Sequence, residues 1–202
     1  TSEIKSTNSE SGVDVVELYV EECRRRDIVP GIYYCLWGGP NRKPAPNARA
    51  MILAQLHELA TNYGTIPYFW IDMGNWRPDD LSIQEIYDSL KNVSSETVVI
   101  FNQHIQDGSE VRYFPTDLLN GEMCSPPPEG HDPYRTVDDV EYYLPFEYEP
   151  CSQARVGRFN LSGWDFQRAS WFTYGEGKEF ASSEPVDPDF LYRHVIGAYE
   201  LG

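Results

Sequence analysis

Three runs rich in β-branched and aromatic residues, VPGIYYCLW (29–37), IPYFWID (66–72) and TVVIFNQ (97–103), each follow a segment with helical patterning. This alternation narrows the fold more than any other feature of the chain. In SGVDVVELYVEECRRRD (11–27) apolar residues fall at 15, 16, 19 and 20, the stripe of a helix capped by Ser11 or Asp14. NARAMILAQLHELATNYG (47–64) predicts a second helix, closed by Gly64 as its C′ residue. SIQEIYDSLKNVS (82–94) predicts a third, opened by a Ser82/Glu85 capping box. A fourth strand is expected in FEYEPCSQA (146–154) and a last helix in PDFLYRHVIGAYELG (188–202), with residues 105–141, including SPPPEGHDP, irregular. Strands alternating with helices of this length imply βαβ units and a parallel sheet, here within one domain spanning 1–202.

Sites in such folds gather at the C-terminal ends of the strands. The polar and aromatic residues there are Trp37, Asp72, Asn102, Gln103, His104 and Glu149, and the long loop adds Glu122. Asp72 stands out because it ends the apolar run PYFWID, between Trp70 and Trp76. It is either a catalytic carboxylate or a strand-end aspartate capping the following turn. Two carboxylates converging on one cleft would suit glycoside hydrolysis, one protonating the leaving oxygen and the other attacking the anomeric carbon.

Bulk properties exclude several alternatives. A net charge of −16 argues against nucleic acid, whose phosphates need clustered Lys and Arg. The one basic cluster, CRRR at 23–26, falls on a helix and reads as a solvated face. No apolar run reaches the ~18 residues of a membrane span, so no membrane partner is expected. The opening TSEIKSTNSESG lacks the layout of a signal peptide. Cys23, Cys35, Cys124 and Cys151 show no metal-ligand spacing, so no zinc site is expected. Five Trp and fourteen Tyr form a heavy aromatic load, suited to the apolar faces of sugar rings as well as to a core. Trp37 and Trp76, in loops after strands, are the candidate stacking residues, Tyr34 and Trp70 line either the pocket or the core, and His104 and Glu149 are candidate polar ligands.

ELATNYGTIPYFWIDMGNW (58–76) resembles the segment L-x-T-N-Y-G-x-I-x-x-x-W-F-D-G of the family 29 glycoside hydrolases, the α-L-fucosidases. The similarity continues in GIYYC against GxYYS, VVIFNQH against VVxNDRW, TDLLNGEMCSPPP against GDFxTPExxIP, YEPCSQA against WExCxT, and SWFTYGEG against SWGY/SWFW. TSEIKST at the start resembles the family's TxxSVKSS. The resemblance implies a (β/α)8 barrel of the TIM type, of which this chain would supply the middle portion, about the third to the sixth strand. It implies Asp72 as nucleophile, Glu122 as acid/base, and Glu149 as sugar ligand or alternate acid/base. The implied partner is a fucosylated oligosaccharide or glycoconjugate in a secreted, periplasmic or lysosomal setting, with another chain completing the barrel if this one is a piece. The family's HWG, KHHDGF and GNLLLNV motifs do not occur here, and Gln103 and His104 stand where the family often has Arg. Those departures admit the alternative of a non-catalytic carbohydrate-binding module derived from the same barrel.

Overall fold

The computed structural model describes residues 6–36, 46–104, 110–122, 132–149, 153–155, 183–185 and 187–201. Trp37, Cys124, His131, Cys151, Asn160 and the SWFTYGEG segment lie outside them. The fold is mixed α/β with parallel sheets, and no closed barrel is formed among the described residues. The chain divides into two compact units, one of residues 1–102 with 113–118 and one of residues 103–112 with 119–202.

The first unit holds helices α1 (Val15–Arg25), α2 (Ala48–Thr61) and α3 (Ile83–Lys91), and strands β1 (Gly31–Cys35), β2 (Tyr68–Asp72) and β3 (Val98–Phe101). Of the two candidate caps for α1 it is Asp14 that serves, accepting from the backbone N–H of Val16 and Glu17. Gly64 does not close α2 directly. The C-cap is Asn62, and Gly64 follows two residues later with φ +69°, a left-handed conformation open to glycine. The Ser82/Glu85 capping box forms in both directions.

The strands run parallel in the order β1-β2-β3, with Tyr33 opposite Trp70, Cys35 opposite Asp72, and Trp70 opposite Ile100. Period-two alternation gives the sheet two distinct faces. Ile32, Phe69, Ile71, Val99 and Phe101 belong to the buried core together with Val20 of α1, Ile52, Leu56 and Ala60 of α2, and Ile86 and Leu90 of α3. On α2 the buried residues recur every fourth position (48, 52, 56, 60), the row a helix lays along a sheet. The opposite face carries Tyr33, Trp70 and Asp72.

Side chains take up hydrogen-bonding positions along the edges of this sheet. The N–H of Val99 donates to Asp117 Oδ2 at 2.7 Å, Phe101 N donates to Thr116 Oγ1 at 3.3 Å, and Asp117 N donates back to Val99 O at 2.9 Å. Asp117 also accepts from the Tyr87 hydroxyl at 2.7 Å and pairs with Lys91 at 2.8 Å. At β1 the Tyr19 hydroxyl donates to Gly31 O at 3.0 Å and accepts from Gly31 N at 3.3 Å. The CRRR cluster is spent locally: Arg25 and Arg26 both bond Glu22, and Arg24 donates to Thr65 O.

The second unit contains β4 (Leu119–Glu122), β5 (Tyr134–Val137), β6 (Val140–Tyr143), β7 (Phe146–Glu149), β8 (Gln153–Arg155), β9 (Ser183–Pro185) and α4 (Pro188–Leu201). The stretch expected to be irregular, 105–141, therefore carries β4, β5 and the start of β6. Asp138 and Asp139 both have positive φ (50° and 62°), which a two-residue hairpin turn requires between β5 and β6. FEYEPCSQA is two strands rather than one: β7 pairs parallel with β4, and β8 antiparallel with β9.

Candidate functional site

Asp72 is the last residue of the central strand and is only 5% exposed. Its Oδ1 accepts from the Met73 backbone N–H at 2.7 Å and from Asn102 Nδ2 at 3.0 Å, and its Oδ2 accepts from the Tyr33 hydroxyl at 2.6 Å. All three are donors, the set a carboxylate anion accepts from. Each comes from a different place: the turn after β2, the end of β3, and β1. The parallel register brings them together, since neighbouring strands finish side by side.

Asn102 is fully buried, and its backbone N–H donates to Ile71 O at 2.8 Å, which continues the β2–β3 ladder one residue beyond the strand. Its amide is thereby held against Asp72. Tyr33 stacks on Trp70 with ring centroids 5.4 Å apart and planes 26° off parallel. The Tyr33 residue is 60% exposed, yet its hydroxyl end is part-buried on Asp72. Burial first, then the hydrogen bond and charge of Asp72, hold that hydroxyl well above the ordinary tyrosine range, so it remains a neutral donor. Beyond Asp72 the backbone turns sharply. Met73 has φ 60° and ψ 42°, left-handed for a residue with a Cβ, and a short 3-10 turn follows over Gly74–Trp76.

The residues singled out from sequence divide as follows. Asp72 and Trp70 share one face of β2, by the alternation of the strand. Trp76 is half-buried in the turn that follows, its N–H donating to Met73 O at 2.8 Å. Tyr34 lies on the other face: its hydroxyl donates to Gln55 on α2 at 2.6 Å, and the residue packs against the core. The structure does not bring Tyr34 to Asp72; its neighbour Tyr33 takes that place. Trp37 is outside the described residues.

Glu122, Glu149 and His104 belong to the second unit. Glu122 is not a loop acid but ends β4, with its Cα in register with that of Glu149, the last residue of β7. Glu149 is half-buried, and its Oε1 accepts from Asn120 Nδ2 at 3.3 Å. Asn120 is fully buried and its Oδ1 accepts from the Gln103 backbone N–H at 3.1 Å, while the Gln103 side chain accepts from Arg112 N at 2.8 Å. His104 is half-buried with φ 52°.

Sequence reasoning passed over Tyr33 and Asn120. For Tyr33 a signal existed: Ile32 is the apolar residue of β1, so positions 32 and 34 share the core-facing parity and 33 takes the other face. For Asn120 no signal existed, because nothing in LNGE announces a strand.

Compared with known proteins, the chain matches no family model and no curated protein. Among the solved structures similar to it is an α-L-fucosidase, AlfC from Lactobacillus casei, in complex with the α-L-fucose product. The two are 19% identical with a TM-score of 0.38, and the match covers 57% of this chain and 48% of that one. The chain thus spans about half the length of that structure. A likeness of this size leaves the site to be judged on its own geometry.

Proposed function

We propose that the chain is the central part of a retaining glycoside hydrolase of the α-L-fucosidase type, built on a (β/α)8 barrel. The observation that carries this reading is Asp72: a buried carboxylate at the C-terminal end of a parallel strand, surrounded by donors and flanked by Trp70 on the same face. The TNYG-to-Asp72 motif supports the same residue from the sequence side.

In the reaction, an Asp72 oxygen attacks the anomeric carbon of a terminal α-L-fucoside as the glycosidic C–O bond breaks. Glu122 gives its proton to the leaving oxygen. Glu122 then takes a proton from water, whose oxygen displaces Asp72 and frees the sugar. Tyr33 and Asn102 keep the nucleophile oriented between the two steps. Trp70 and Trp76 offer ring faces to the sugar, while His104 and Glu149 bind its hydroxyls. This chemistry needs neither a metal nor an organic cofactor. A retaining pair requires the Asp72 and Glu122 carboxyls within ~5–5.5 Å of each other when substrate is bound.

The test uses the full chain with an aryl α-L-fucoside, followed by a 2-deoxy-2-fluoro-fucosyl fluoride that traps the ester. Turnover, and a mass increment mapping to the peptide that holds Asp72, are expected; an adduct on another acid would overturn the assignment. A second reading, a sugar-binding module without turnover, is favoured by one observation. Where the resemblance has Arg this chain has Gln103 and His104, and Gln103 is 1% exposed with its side chain accepting from the Arg112 backbone N–H. Binding of fucose without hydrolysis by the wild-type chain would favour that reading.

A further inference from the structure

We infer that Asn120 is a positioning residue for Glu149, presenting an amide N–H to its carboxylate from a buried relay that starts at the Arg112 backbone. The inference rests on the reading that Glu149 belongs to the sugar site. The relay has three links within the second unit: Arg112 N to Gln103 Oε1 (2.8 Å), Gln103 N to Asn120 Oδ1 (3.1 Å), and Asn120 Nδ2 to Glu149 Oε1 (3.3 Å). Gln103 is 1% exposed and Asn120 fully buried, so neither amide exchanges partners with bulk water.

The direction of the relay follows from chemistry. The Gln103 backbone N–H can only donate, so the oxygen of the Asn120 amide must face it. The NH2 end is then committed to Glu149. Rotating the amide by half a turn would set N–H against N–H and a carbonyl oxygen against a carboxylate. The strands allow this contact as a diagonal one: the register sets Asn120 opposite Glu147, and Glu149 is two residues further along the same face of β7. A purely structural asparagine would need only to receive the Gln103 N–H. That task leaves the donor end unused, and a buried amide end without a partner is costly. The acids nearest Glu149 along the backbone are Glu147, two residues earlier on β7, and Glu122, whose Cα is in register with that of Glu149.

Asn120→Asp separates the two roles, because aspartate still accepts from Gln103 but meets Glu149 with a second negative charge. The measurement is the carboxyl titration of Glu149 by NMR on the full chain labelled at Glu Cδ, the signal assigned with Glu149→Gln. We expect the Glu149 midpoint to rise by about one pH unit in Asn120→Asp, since a donor is replaced by a like charge. If the chain hydrolyses fucosides, the limb of the kcat profile that Glu149 controls moves with it, with KM changed less. A midpoint within about 0.2 unit of wild type, far below the usual effect of a neighbouring like charge, would overturn the inference. Should Asn120→Asp not fold, Asn120→Thr suits a strand and withdraws the N–H without adding charge. A smaller upward move is expected there, and none would equally overturn the inference. A titration shift in a chain without any hydrolysis would sustain the Asn120 role and remove the hydrolase reading alone.

Discussion

Two strand ends carry the carboxylates of interest, and they are built differently. Asp72 ends a strand paired on both sides, in a sheet whose other face packs on three helices, and three donors hold it. Glu149 ends one strand of a two-stranded parallel pair, where Asn120 donates to it at 3.3 Å. A strand end by itself places a side chain to within a register step. The layer packed behind the sheet decides how firmly it stays there.

Substitutions can break this contrast. The largest effect belongs to Asp72→Ala, which should lower fucoside hydrolysis by roughly 10⁴-fold or more, as loss of a nucleophile does, whereas Glu149→Ala should cost far less. Initial rates of both variants check this, and equal losses would undo the ranking of the two ends. Next come the supporting layers. Phe101 is fully buried, and Phe101→Ala should cost about 3–5 kcal/mol. Phe146 on β7 is half-buried, and Phe146→Ala should cost less than about 2 kcal/mol, in line with its smaller buried area. Urea midpoints at constant slope measure the difference.

A pH effect sharpens the comparison further. Burial, then the neighbouring Cys35 thiol when charged, pushes the Tyr34 hydroxyl up to about 12. A pKa raised by folding contributes stability that is intact below the unfolded value of about 10 and is lost as pH climbs through the folded value. The first unit should therefore weaken above about pH 10, and Tyr34→Phe should flatten that decline in alkaline melting curves. The smallest effect is Met73→Gly. Removing a Cβ from a left-handed residue relieves steric cost, partly offset by the greater freedom of glycine when unfolded. We expect a gain of about 0.5–1 kcal/mol in thermal unfolding, net of the two terms.

The sequence made the first unit legible because its signals were local. Periodicity marked α1 to α3, the capping box marked the start of α3, and unbroken β-branched runs marked β1 to β3. The Asp72 position followed from the end of its run. Its partners did not, because Tyr33 against Tyr34 is a question of register between strands, and register is a long-range property. The second unit was obscure for another reason. β7, FEYE, was announced by its alternation, but β4 reads LNGE with no such pattern, so pairing with the distant β7 made it a strand where local preference did not. The hairpin at Asp138–Asp139 did carry a turn signal, two adjacent acids flanked by β-formers, but it was lost inside a segment rich in proline and glycine.

Thr116 and Asp117 have a further consequence. By lending a hydroxyl, a carboxylate and a backbone N–H to β3, they act as a counterfeit strand, and the Tyr19 hydroxyl caps Gly31 at β1. A parallel sheet of three hydrophobic strands would otherwise be a template onto which a stray chain could zip. The occupied positions on β3 interrupt its run of free donors. The same few side chains that finish the local hydrogen bonding therefore also guard against edge-to-edge aggregation, so their loss would be felt as insolubility on concentration as well as in stability.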